Sequence, residues 1–427
     1  MQHEKIKYYS CRKAITVMLE FRFSLLKYIF QKKKYPLFAI RSSDGGIIKT
    51  NEVQKKLKLC KFVKHNNHYY FSLTVPHWPS KPFDNMVSNG GLNITAAGTP
   101  LKKQIDNVIL GITRKCNYQC IHCYEHFNLD EKDTVPIDAW RNVISKLQEY
   151  GVSIITLSGG EPMLRYDGML ELLKSADHSR SDFHIHTSGF GVTQENAIEL
   201  KKAGLHAAGV GLDDINPERN DLLRGYKGAH EQAIRAIRCF QEAGIFTYIN
   251  SCLTRELISS GDISQYFEMV KNLNVGMVRW LEPRPCGGYL DANLRELLNQ
   301  EERDVITDLY IKANTGRNYK DYPLIIYEAF CEAPENMGCM MAGNSLLYID
   351  SAGNVEPCVF LPVSFGNILK EDFSVIFNRM REVIPKPLHV TCPSIQMSST
   401  IKSKKDLGIT IPVQYEELIK EFDSLVR

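Results

Sequence analysis

Between residues 105 and 282 short apolar strands and amphipathic helices alternate six times, and this alternation constrains the fold more than any other feature of the chain. The strand-like runs are NVILGIT (107–113), SIITLS (153–158), FHIHTS (183–188), AAGVGLD (207–213), IFTYINSC (245–252) and GMVRWLE (276–282). PIDAWRNVISKLQEYG (136–151), MLELLKSA (169–176), ENAIELKKAG (195–204), HEQAIRAIRCFQEAG (230–244) and ISQYFEMVKNLN (263–274) stand between them with helical spacing of their apolar residues. Strand–helix units in unbroken succession predict a parallel sheet with right-handed crossovers. Closing an eight-unit barrel would take two more units, which the sequence does not display, so a partial barrel or an open sheet is expected. Each strand runs into a polar or glycine-rich segment: TRKC, SGGEP, HTSG, LDD, INS and EPRPCGG. Chemistry gathers at the C-terminal ends of parallel strands, so one ligand wrapped by all six loops is expected.

The chain has 427 residues, 44% hydrophobic and 24% charged, an ordinary globular composition with room for two or three domains. Its N-terminus lacks the apolar run and small-residue cleavage site of a signal peptide. A cytoplasmic, reducing compartment is therefore expected. There, twelve cysteines at partly short spacing point to metal or catalysis before disulfides. Residues 1–100 hold 17 Lys and Arg against 5 Asp and Glu, and the remainder 35 against 44. This basic segment is either a solvated face or a surface for an acidic peptide, a nucleic acid or an anionic membrane. Ala14–Phe30 is interrupted by Glu20, Arg22 and Lys27 and is followed by QKKK. It is too short and too charged to span a membrane, and reads as a helix docked on the protein or lying on a lipid surface.

Directly after the first strand comes CNYQCIHC, with Cys116, Cys120 and Cys123 at CxxxCxxC spacing. A structural zinc or a 4Fe–4S cluster takes four protein ligands as a rule. Three thiolates leave a metal position open to substrate or cofactor, unless His122 and His126 complete a zinc site. One βα unit later, SGGEP (Ser158–Pro162) joins two glycines, which permit close backbone approach, to the carboxylate of Glu161.

The two motifs in this order resemble the radical S-adenosylmethionine superfamily over about residues 105–290. The resemblance implies an α/β fold, a partial (β/α)6 TIM-like barrel. It implies that Cys116, Cys120 and Cys123 bind three irons of a 4Fe–4S cluster, and that S-adenosylmethionine chelates the fourth iron. Gly159, Gly160 and Glu161 would receive the amino end of S-adenosylmethionine, and Thr187, Ser188, Asp213 and Asn250 would contact its ribose or methionine parts. Asp213 and Asn250 read equally well as helix-cap or turn residues. The implied chemistry is reductive cleavage of S-adenosylmethionine to a 5′-deoxyadenosyl radical, which takes a hydrogen atom from the substrate.

A second cysteine group, CMMAGNSLLYIDSAGNVEPC (339–358) followed by FGNI, resembles the opening of the SPASM extension of that superfamily. After Cys358 only Cys392 remains, so the truncated, single-cluster twitch form is expected. Under this resemblance Cys331, Cys339, Cys358 and Cys392 supply an auxiliary 4Fe–4S cluster, with a four-cysteine zinc knuckle as the alternative. Cys286 lies where substrate would sit and is a weak catalytic or ligand candidate beside the plain reading of a buried thiol. Cys11, Cys60, Cys239 and Cys252 read as core thiols.

The expected organisation is a small basic α+β extension (1–104), the core barrel (105–315), a β-hairpin and helix iron–sulfur domain (316–400) and a helical tail (401–427). The expected function is that of a radical S-adenosylmethionine oxidoreductase or maturase. It would oxidise or cross-link a peptide or protein, or else act on a small molecule or in cofactor maturation. A non-enzymatic zinc-binding protein is the distant alternative. An electron donor such as flavodoxin or ferredoxin is implied, no nucleic acid partner is expected, and a peripheral membrane contact through the basic N-terminus stays open.

Overall fold

The computed structural model describes residues 6–9, 19, 56–59, 61–89, 105–130, 132–291, 297–336, 338–339, 346–385, 388 and 392–426. Apart from Leu19, the candidate helix Ala14–Phe30 lies outside these residues, as do the QKKK run, most of SNGGLNITAAGTP, Cys11 and Cys60. The described chain opens on an antiparallel sheet of β1 (Lys7–Tyr9), β2 (Phe62–His65) and β3 (His68–Tyr70). Asn66 and Asn67 make the β2–β3 turn with φ of 48° and 62°. Such a two-residue turn suits asparagine and matches the strand twist.

The six expected strands follow: β4 (Asn107–Thr113), β5 (Ile154–Gly159), β6 (Asp182–Thr187), β7 (Leu205–Gly211), β8 (Phe246–Cys252) and β9 (Met277–Leu281). They pair in parallel, each with its neighbours in chain order. Contrary to the sequence reading, two more parallel strands extend this sheet. β10 (Leu324–Tyr327) adds beside β9, and β11 (Leu346–Ile349) adds beside β4. Both are four-residue runs, too short to carry a period of their own, and β11 is also one arm of the hairpin recognised at 346–357. β12 (Val355–Glu356) returns antiparallel on β11, so the nine-stranded sheet ends on β10 at one edge and β12 at the other.

Helices 137–150, 166–175, 194–202, 229–242 and 263–272 join these strands as the apolar spacing predicts. In the first, Trp140, Val143, Ile144 and Leu147 form the buried stripe, and Gly151 ends the helix at φ 103°. Helices 217–224 and 255–259 escaped the sequence reading because they are short and capped locally, by Asn216 and Thr254.

The N-terminal sheet plugs the base of the barrel. Ile6, Val63, Tyr70 and Leu73 pack against Ala207, Phe246, Met277 and Leu324, near the N-terminal ends of β7 to β10. Tyr70 stacks on Phe246 at 3.7 Å, and the Lys61 ammonium donates to the carbonyls of Tyr319 (2.6 Å) and Tyr322 (2.9 Å). At the other end of the chain, β13 (Val363–Ser364) pairs in parallel with β14 (Val413–Gln414). The tail is more than one helix: helix 393–406, then β14, then helix 419–426, with Tyr415 stacked on Phe365. No helix among the described residues is long and apolar enough to cross a membrane.

Candidate active site

One cavity of about 250 Å³ occupies the barrel interior and opens among the strand-end loops. Cys116, Cys120 and Cys123 line one part of it, and Cys286, Cys339, Cys358 and Cys392 line another. Both cysteine groups legible in the sequence therefore face a single space. Cys331 does not line it; its sulfur lies 3.8 Å from the Tyr310 hydroxyl. Cys252, expected as a core thiol, also lines the cavity, where the Asp213 carboxylate accepts its backbone N–H at 2.8 Å.

The triplet loop is built by close backbone packing. Gly160 and Glu161 donate their N–H groups to the carbonyls of Thr113 (2.9 Å) and Lys115 (2.7 Å). A Cβ on Gly160 would stand 2.1 Å from the Lys115 carbonyl oxygen, and one on Gly159, at φ 114°, 2.4 Å from that of Thr113. The glycines thus let the second loop lie against the first. The sixth loop closes from the other side. Gly288 donates to the Cys123 carbonyl at 2.8 Å, and a Cβ on Gly287 would meet that oxygen at 2.1 Å. This contact, absent from the sequence reading, seats Cys286 beside the triplet loop.

Glu161 is fully occupied. One carboxylate oxygen accepts from the Met163 N–H (3.0 Å) and the Thr187 hydroxyl (2.7 Å), and the other from the Ser188 N–H (2.8 Å) and hydroxyl (2.5 Å). Its side chain joins the loops after β5 and β6. Asp213 is likewise engaged: it is buried, accepts from the Arg224 guanidinium at 2.6 Å, and has its carboxyl held below the usual range by Arg224 despite burial. The Arg224 charge also favours the Cys120 thiolate, opposing the burial that pushes this thiol up. Asn250 lines the cavity with its side-chain oxygen buried and without a hydrogen-bond partner. Sequence reasoning missed Arg224, on the overlooked helix 217–224. It also missed Tyr118, whose ring stacks on Tyr226 at 4.5 Å.

The thiols fit a cluster better than a single zinc. In a tetrahedral zinc site with Zn–S of about 2.3 Å, the sulfurs stand about 3.8 Å apart. Among the described residues, neither cysteine group brings three ligand atoms within 4.8 Å of one another. His122 lines the cavity with its Nε2 3.8 Å from Asp213, whereas His126 packs on Phe127 away from the cavity, so the two histidines do not complete a zinc site. Burial pushes the Cys116 thiol up to about 12 and the Cys123 thiol well above its usual value, so taking up iron as thiolates releases protons.

At the far end of the cavity Arg279 and Arg284 face Glu282, Glu328 and Glu332. Arg279 pairs with Glu328 at 3.2 Å and Arg284 with Glu282 at 3.3 Å. Burial and the neighbouring Glu328 push the Glu332 carboxyl up, and one of its oxygens is buried without a partner.

The family model of the radical SAM superfamily matches residues 110–257, and the model of the SPASM iron–sulfur cluster-binding domain matches residues 339–392. The chain carries a radical SAM domain followed by a SPASM domain. As such it uses a 4Fe–4S cluster with S-adenosylmethionine, and its SPASM domain carries auxiliary iron–sulfur. It is similar to the AdoMet-dependent heme synthase of Oleidesulfovibrio alaskensis, with 25% identity over 63% of this chain and 73% of the relative. It is also similar to the PqqA peptide cyclase of Bradyrhizobium diazoefficiens, with 27% identity over 59% of this chain and 66% of the relative. Among solved structures, Streptococcus suis SuiB bound to its precursor peptide SuiA shares the fold, with a TM-score of 0.54 and 16% identity over 70% of this chain and 67% of that one.

Proposed function

We propose that this radical SAM protein oxidises or cross-links a peptide or protein held between its two iron–sulfur sites. The observation that carries this reading is the shared cavity, with Cys116, Cys120 and Cys123 on one side and Cys339, Cys358 and Cys392 on the other. When bound, the first cluster supplies the electron that cleaves S-adenosylmethionine to methionine and a hydrogen-abstracting 5′-deoxyadenosyl radical. The chain's own residues bind, orient and enclose.

Cys116, Cys120 and Cys123 hold the first cluster, and the carbonyls of Gly159 and Gly160 accept the ammonium of S-adenosylmethionine. Glu161 acts by positioning, since it fixes Thr187 and Ser188 at the cavity wall. Asn250 offers its unpartnered oxygen to the cofactor. Asp213 holds Arg224 against Cys120 and has no free oxygen pointed at a ribose. Cys339, Cys358 and Cys392 hold the auxiliary cluster. The fourth ligand is Cys331, after a turn of helix 328–331 away from Tyr310, or Cys286, which already faces the cavity. A cluster held by these thiolates would supply a one-electron acceptor for a net oxidation. Flavodoxin or ferredoxin would reduce the first cluster.

The heme synthase relative and the part-buried Arg279 and Arg284 favour a second reading, a carboxylate-bearing small molecule. Deuterium transfer separates the two. The host is grown in heavy water, its extract is divided into peptide and small-molecule fractions, and each is offered to the reduced enzyme with S-adenosylmethionine. The peptide reading predicts deuterium in 5′-deoxyadenosine from the peptide fraction alone. Deuterium from the small-molecule fraction alone contradicts it.

A further inference from the structure

Beneath the floor of the cavity, where the N-terminal extension meets the barrel, lies a cluster of histidines that the proposed reaction does not use. Among the described residues, the one trio of histidine, cysteine, aspartate or glutamate ligand atoms lying within 4.8 Å of one another is that of His77, Asp182 and His206. His77 belongs to the segment after β3, Asp182 opens β6 and His206 is the second residue of β7. Asp182 Oδ2 accepts from His77 Nδ1 at 2.8 Å and from the His77 N–H at 3.2 Å, and the rings of His77 and His206 stack at 3.9 Å. The side chains of His77 and Asp182 are 11% and 4% exposed, so the group is shut off from bulk water.

A fourth donor stands beside the trio. The His68 ring meets that of His77 edge-on at 4.4 Å, and its Nδ1 is buried without a hydrogen-bond partner. With the ring proton on Nε2, this unpartnered Nδ1 would offer its lone pair to a cation. The Tyr70 hydroxyl, 3.0 Å from His206 Nε2, is an outer partner of the kind that orients a metal-binding imidazole through its second nitrogen. Lys201 lies within electrostatic reach and is itself pushed down by burial.

We propose that His77, Asp182 and His206 form a zinc site that fastens the N-terminal extension to the base of the barrel, with His68, whose ligand atoms lie outside the 4.8 Å group, turning in as the fourth ligand. Imidazole and carboxylate donors suit Zn²⁺, and four-coordinate closure marks a structural site. Two ligands come from the extension and two from the barrel, so the ion bridges parts of the chain otherwise joined there by the packing of Tyr70 and its neighbours on Phe246. Seating the ion splays the His77 and His206 rings from their stack, 9° from parallel.

The test uses the full chain with its iron–sulfur clusters loaded, given one equivalent of Zn²⁺ and desalted. The site predicts one zinc per chain, retained when Cys116, Cys120 and Cys123 are all changed to alanine and lost in a His77→Ala/His206→Ala double variant. Zinc K-edge absorption on the parent needs no variant. It should show a first shell of nitrogen and oxygen with imidazole scattering. No zinc retained by the parent, zinc unchanged in the double variant, or sulfur in the first shell would each overturn the proposal.

Discussion

Ser188 donates both its backbone N–H, at 2.8 Å, and its hydroxyl, at 2.5 Å, to the same oxygen of Glu161. The loops after the second and third barrel strands are therefore one unit, cross-braced by a buried carboxylate. Replacing Glu161 with glutamine keeps the size but turns an amide donor toward groups that themselves donate. An unsatisfied buried donor costs about 1–3 kcal/mol. The Glu161→Gln protein should unfold at a lower temperature and bind S-adenosylmethionine about 10-fold more weakly, a loss near 1.4 kcal/mol. Equilibrium dialysis on cluster-loaded protein checks this; unchanged affinity would assign Glu161 no part in shaping the site.

Gly160 has no room for a methyl group, with the Lys115 carbonyl 2.1 Å from where its Cβ would be. Gly160→Ala should displace the loop that presents Cys116 and lower iron from about eight to about four per chain. Gly191→Ala is the control, since nothing lies within 4 Å of its Cβ and only its φ of 69° opposes the change. Loss of iron in both variants to the same extent would show general destabilisation instead.

Arg224 and Asp213 form a buried ion pair at 2.6 Å, with side chains 12% and 0% exposed. Removing one partner of such a pair costs about 3–5 kcal/mol because the other charge stays buried. Asp213→Asn should be destabilised on that scale, and Asp213→Asn/Arg224→Met should recover part of the loss. Denaturant melts of the two single variants and the double variant measure the coupling. Additive losses would refute it.

Lys61, 2% exposed, titrates at about 7 because burial disfavours its charge, although Asp321 opposes the shift. Its folded value lies below the unfolded one, so between about pH 7 and 10.5 the unfolded chain binds more protons. Stability must then rise with pH through that window. The Lys61→Met protein should lose this rise, which is of order 3 kcal/mol. Denaturation midpoints at pH 7 and pH 9.5 decide the matter; the same rise in parent and variant would place its origin elsewhere.

The barrel was legible because its strands and helices are long enough to show their periods, and because CNYQCIHC and SGGEP sit one unit apart at the ends of β4 and β5. What stayed hidden depends on neighbours distant in sequence. β10 is a strand because β9 gives it a partner. Arg224 matters because Asp213 faces it, and Gly287 and Gly288 because the Cys123 carbonyl lies beneath them. Asp213 read as a cap or a ribose contact, since a lone Asp carries no sign of a buried arginine. His77 and Asp182 are 105 residues apart, and no local pattern announces their meeting. Cys331 and Cys286 were both visible as cysteines, but only the fold shows which of them faces the cavity.

The proposed reaction needs two iron–sulfur sites on one cavity. The most direct test is iron, sulfide and zinc per chain after anaerobic purification, for the parent and for a Cys116→Ala/Cys120→Ala/Cys123→Ala variant. Two sites should give about eight irons in the parent and about four in the variant, with sulfide falling in step. About four irons in the parent and none in the variant would remove the auxiliary site, and zinc without iron would contradict the radical chemistry altogether.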